Sequence, residues 1–207
     1  MSRPVFTTAT AALRRERFGG TAGNRHLTSV TALVLAALLA AEGVTILWMG
    51  DFRTEHMFIG LVLIGPIVLK LASTGYRFAR YYARAPRYRA EGPPLLPLRL
   101  LAPVLVATTL LVFASGVLLL IIGHRSDLAL ELHKVAFIVW SACFGVHFVW
   151  YLPRAYSTVA ASLRASRLER TPGASLRGLL LGAALGGGTA LALALLSSIQ
   201  AWQGGHG

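Results

Sequence analysis

An all-α integral membrane bundle of five transmembrane helices is the fold this sequence predicts, and three observations carry the prediction. The chain is 55% hydrophobic over 207 residues, above the roughly 45–50% of soluble domains, and its mean hydropathy is +0.62. Its apolar residues gather into five runs, each near the ~20 residues that a helix needs to cross ~30 Å of hydrocarbon. The charge, a formal +12, falls in blocks between those runs.

The first run, 28–49, follows a basic arm over 1–27. It is longer than the 7–15 apolar residues of a signal peptide, so it reads as a retained helix. Cleavage near Ala40-Ala41 is the alternative, and sequencing the mature protein distinguishes the two. The second run, 56–76, and the third, 98–122, flank the basic connection "RFARYYARAPRYRAEGPP". The fourth, 132–153, ends before a second basic connection over 155–176, and the fifth, 177–201, leads into a short tail ending at 207. Residues 28–154 thus form a four-helix core, to which 177–207 adds one helix. Gly186-Gly187-Gly188 in the last run allow close helix approach, within the chain or between copies of a homo-oligomer.

Sixteen of the eighteen arginines lie in the N-terminal arm and the two long basic connections, whereas Arg53, Arg125 and Lys134 fall on the other side. The positive-inside bias then places the N-terminus in the cytoplasm and the C-terminus outside it. The second and fourth helices run in the same direction. The preference for Arg over Lys resembles that of a GC-rich bacterial genome, so a bacterial cytoplasmic membrane is expected. Arg interleaved with Tyr also suits a single-strand nucleic-acid platform. Directly after a membrane helix, however, it reads as a lipid-headgroup contact, and no nucleic-acid partner is expected.

Cys143 is the single cysteine, which excludes an internal disulfide, a thiolate zinc site and C-x-x-C-H haem attachment. There is no nucleotide fingerprint, P-loop, HExxH motif or nucleophile elbow. Catalysis on a soluble substrate is therefore not expected of this chain.

The chemistry sits in "LHKVAFIVWSACFGVHFVW", where His133 and His147 interrupt an apolar run fourteen residues apart. Fourteen residues of helix rise ~21 Å and leave two side chains ~40° apart, on one face. The second helix repeats the interval with His56 and Lys70. Two parallel helices thus offer an outer level, His56 with His133, and an inner level, Lys70 with His147. Ionisable groups in a bilayer are costly and usually face the bundle interior. Imidazoles from two helices can grip one haem iron from both sides. Gly60, Gly65, Ser141, Ala142 and Gly145 offer room for a flat macrocycle, and Arg77, Arg80 and Arg99 offer cations for its propionates.

In these residues the sequence resembles the membrane cytochrome b proteins, the helical di-haem subunits of quinone-linked respiratory complexes, hydrogenases and formate dehydrogenases. The H-x13-H motif is complete in His133 to His147 and half-present in His56 to Lys70, over about 56–154. The resemblance implies two non-covalent haem b groups and electron transfer across the membrane between a quinone and another redox protein. Such a chain is the electron-transfer subunit of an oxidoreductase and takes a partner for at least one end.

Lys70 stands where the family pattern has histidine. An amine ligates iron only when neutral, the form that burial favours. A snorkelling side chain and an ion pair with Glu42 are the competing readings. Glu42 is either a proton site for quinol oxidation or a protonated acid bonded to a neighbouring helix. His124 is an alternative to His56, His26 lies too far toward the inner edge to replace His147, and His206 is in the tail. The rival function is a non-redox transporter or anchor subunit with a buried Glu42/Lys70 site.

Overall fold

The computed structural model describes residues 19–90, 92, 96–123, 126–164 and 172–204. His124, Arg125, His206 and most of the basic arm lie outside them. The helices are α1 (Gly20–Leu47), α2 (Arg53–Tyr82), α3 (Pro86–Arg89), α4 (Leu96–Ile122), α5 (Asp127–Arg164), α6 (Ala174–Ala194) and α7 (Leu196–Gly204). Five of these, α1, α2, α4, α5 and α6, are long and apolar enough to cross a membrane. Among the described residues there is no strand.

Hydrocarbon leaves no backbone group a water partner, so helices that satisfy their own N–H and C=O groups are the economical solution. Several polar side chains within the spans follow the same rule by bonding to their own helix. Thr31 Oγ1 donates to Leu27 O at 2.8 Å, Thr109 Oγ1 to Leu105 O at 2.6 Å and Ser115 Oγ to Leu111 O at 2.7 Å.

The connections fix the neighbours. A five-residue turn from Trp48 to Phe52 makes α1 and α2 an antiparallel hairpin. The short link after Ile122 makes α4 and α5 another. The two hairpins meet where α1 packs on α5 and α2 on α4. This is an up-down-up-down bundle, in which α2 and α5 run parallel on one diagonal with little direct backbone contact. The fifth span, α6, lies outside the bundle against α2.

That outer packing depends on two glycines. A β-carbon on Gly65 would strike the carbonyl of Ala184, and one on Gly188 would strike the carbonyl of Val62. Each glycine admits the other helix's backbone.

The helices run past the apolar runs at several ends, α2 to Tyr82 and α5 back to Asp127 among them. α1 begins at Gly20 and α5 continues to Arg164, because a helix keeps its hydrogen bonds after it leaves the apolar layer. Arg154 in that extension lies 5.8 Å from the Trp150 ring and 6.0 Å from the Tyr151 ring. The last run is broken in two. Leu195 leaves helical geometry (φ −100°, ψ 12°), and α7 folds against α2 and α4. Ile199, fully buried in a cluster with Leu61, Leu120 and Ala192, drives that turn.

Candidate functional site

The two ends of the bundle are chemically distinct. Asp51, Glu55, Asp127 and Glu131 lie at or near the turns that join α1 to α2 and α4 to α5, and define an acidic end. Arg77 through Arg89, Arg99 and Arg154 lie toward the other, arginine-rich end.

Near the acidic end, α1 and α2 bring three polar side chains together. His56 Nδ1 lies 3.0 Å from Glu42 Oε1 and 3.2 Å from Thr45 Oγ1. Thr45 Oγ1 in turn donates to Glu42 O at 2.7 Å. A carboxylate accepts, so in the neutral ring the Nδ1 proton of His56 points to Glu42 and the lone pair falls on Nε2. Glu42 is buried, and its second oxygen, Oε2, has no hydrogen-bond partner. Gly60, one turn along α2, leaves room for this carboxylate: a β-carbon there would stand 3.4 Å from Glu42 Oε1.

The second hairpin repeats the arrangement. His133 Nδ1 lies 3.1 Å from the carbonyl of Val112 and 3.0 Å from Ser115 Oγ, both on α4. A backbone carbonyl only accepts, so this ring too carries a proton on Nδ1, and in its neutral form the lone pair falls on Nε2. Gly116 leaves room for the ring beside α4, since a β-carbon there would come within 3.1 Å of His133 Cε1. His56 and His133 lie within electrostatic reach of one another across the bundle.

At the deeper level Lys70 and His147 are likewise within electrostatic reach of each other. Lys70 Nζ donates to the carbonyl of Thr28 on α1 at 2.9 Å. Around it, Thr28 Oγ1 donates to Asn24 O at 2.8 Å and Ser73 Oγ to Lys70 O at 3.0 Å, while Asn24 Nδ2 donates to Ser73 O at 3.2 Å. The His147 ring packs on Tyr151, with centroids 4.6 Å apart. The Glu42–Lys70 ion pair considered from the sequence is not formed: each is engaged at its own depth, Glu42 by His56 and Lys70 by Thr28.

Between the levels stands an apolar layer. Leu63, seven residues from both His56 and Lys70, is 1% exposed, and Trp140, seven residues from both His133 and His147, is 9% exposed. Trp140 Nε1 donates to Thr109 Oγ1 at 3.0 Å, and the indole stacks on Phe144 at 4.7 Å.

The remaining residues singled out from the sequence are dispersed. Gly65 opens toward α6, whose backbone takes its space, so it gives none to the bundle interior. Ala142 is exposed on the far side of α5, and Gly145 has nothing within 4 Å of its β-position. Arg77 is within electrostatic reach of Lys70. Arg80 and Arg99 stand farther along, where Arg99 Nη2 donates to Tyr82 Oη at 3.1 Å. His26 is half-buried toward the arginine-rich end of α1.

The partners Thr45, Val112, Ser115 and Gly116 were not singled out from sequence, yet a signal for this register exists. In an antiparallel hairpin, residues equally far from the turn share a depth. Thr28 and Glu42 are fourteen residues apart on α1, in the opposite order to His56 and Lys70 on α2.

These features define the class: a multi-pass helical membrane protein with polar side chains at two depths in its interior. Among the described residues, no group of three or more His, Cys, Asp or Glu side chains is placed to hold a metal ion. No family model, curated protein or solved structure matches the chain.

Proposed function

We propose that the chain is a di-haem b-type membrane cytochrome that carries electrons between quinone or quinol and a second redox protein. The single observation that supports this most is the matched state of His56 and His133. Each directs Nδ1 to a neighbouring helix, so that in the neutral ring Nε2 holds the lone pair, the form in which imidazole binds iron. Were a haem bound at this level, His56 and His133, on diagonal helices with Gly60 and Gly116 beside them, would be the residues that hold its iron.

The inner level fits less completely. His147 offers one imidazole, and the second donor is the Lys70 amine, which must leave the Thr28 carbonyl or remain there as a structural tie. Arg77 is placed best for a propionate at this level.

Haem supplies one-electron chemistry when bound. The chain's own residues hold both imidazole rings through Nδ1, bring Glu42 against His56, and separate the two depths by Leu63 and Trp140. The levels are fourteen residues apart, ~21 Å along the helices, so together they span most of the apolar layer. The arginine distribution favours a cytoplasmic N-terminus and an outward acidic end in a bacterial cytoplasmic membrane.

The test is the reduced-minus-oxidised visible spectrum of the detergent-purified protein, with haem counted per chain. Two haems per chain are expected, and none ends the reading. Lys70→Met is expected to alter one of the two haem signals and leave the other unchanged. Identical spectra and potentials in the variant would return Lys70 to its tie with α1.

A further inference from the structure

The arginine-rich end of α2 and the segment after it carry Arg77, Arg80, Arg84, Arg87 and Arg89. Among the described residues, Glu42, Asp51, Glu55, Asp127 and Glu131 all lie toward the acidic end. Glu16, Glu91 and Glu169 fall on the arginine side by sequence, outside the described residues, against sixteen arginines. Three carboxylates against sixteen arginines leave that side of the chain net positive.

The local fold turns this segment back on the end of α2. Tyr76 and Tyr82 near the end of α2 are each 54% exposed, as aromatic side chains at headgroup level are. Past the helix end Arg84 takes φ 56°, a left-handed conformation uncommon outside glycine. It turns the chain so that α3 folds back beside α2. There the Tyr88 ring meets Tyr76 edge-on at 6.0 Å, and Ala85 is buried. Arg87 Nη1 reaches the first turn of α1, 3.9 Å from where a β-carbon on Gly20 would stand. Arg80 Nε is buried without a hydrogen-bond partner.

We propose that this fold-back binds the phosphate of an anionic phospholipid, with Arg80, Arg84 and Arg87 as the cations and Tyr82 and Tyr88 as anchors beside them. Guanidinium matches phosphate geometry with two parallel donors. The surface continues directly from a membrane-spanning helix, so its occupant is the lipid of the adjoining leaflet. The site is independent of any haem.

Native mass spectrometry tests it, with the purified protein released from detergent holding equal phosphatidylglycerol and phosphatidylcholine. The wild-type protein is expected to retain phosphatidylglycerol at least about tenfold over phosphatidylcholine. The Arg80→Gln/Arg84→Gln/Arg87→Gln protein is expected to lose that preference, and Arg53→Gln, at the acidic end, to keep it. Excess inorganic phosphate is expected to leave the lipid in place. Equal retention of both lipids by the wild-type protein overturns the proposal without recourse to any variant. So does an unchanged preference in the triple variant, its loss in Arg53→Gln, or displacement by inorganic phosphate.

Discussion

Removing the Glu42 carboxylate probes the His56 level most directly. Glu42→Ala takes away the oxygen 3.0 Å from His56 Nδ1. An outer partner of this kind is typically worth 10–100-fold in ligand affinity, or ~1.4–2.7 kcal/mol. Thr45 Oγ1, at 3.2 Å, remains as a second acceptor, so a loss near the lower bound is expected, about tenfold. The haem-free protein should respond differently. The substitution also removes Oε2, which is buried without a partner and therefore already costs stability. Its loss offsets that of the hydrogen bond, and the apo stability should change by less than about 1 kcal/mol. The assay is a haem titration of the haem-stripped protein followed in the visible spectrum, beside thermal unfolding of the same sample. Unchanged haem affinity in a folded Glu42→Ala protein would refute the reasoning, as would a Glu42→Gln protein, which keeps an acceptor, that binds haem no better than Glu42→Ala.

Three further outcomes follow from the packing. Gly116→Ala places a methyl 3.1 Å from His133 Cε1, so the ring must shift and haem affinity at the His133 level should fall, while the overall helix content by circular dichroism stays unchanged. Gly65→Ala and Gly188→Ala each force α6 away from α2; overpacking of this kind costs ~1–3 kcal/mol, readable as a lower unfolding temperature and as new accessibility of cysteines introduced between the two helices. Trp140→Phe removes the hydrogen bond to Thr109 and should cost about 1 kcal/mol, with Thr109→Val giving a similar loss and the double variant less than the sum of the two.

The spans were legible because hydrocarbon imposes a length and a composition, and Leu96–Ile122 agrees with its apolar run to within two residues. The fourteen-residue interval on α2 and α5 was legible for a related reason: a helix turns the same way whatever it packs against. Pairing across helices was harder. Glu42 was weighed against Lys70 by depth, and the closer partner, His56, emerges only when α1 and α2 are counted outward from their shared turn. Thr45, Ser115 and Gly116 carry no chemical signature of their own. Their role comes from which face meets a histidine, and this is a property of the hairpin, not of any run of residues. The division of the last run at Leu195 was hidden for a similar reason, since the burial of Ile199 against α2 and α4 is a tertiary effect.

The placement of Leu63 and Trp140 midway between the two polar depths bears on how well the membrane stays sealed. A greasy partition at that height interrupts a file of water between the two depths, so an ion crossing this layer would have to shed its hydration.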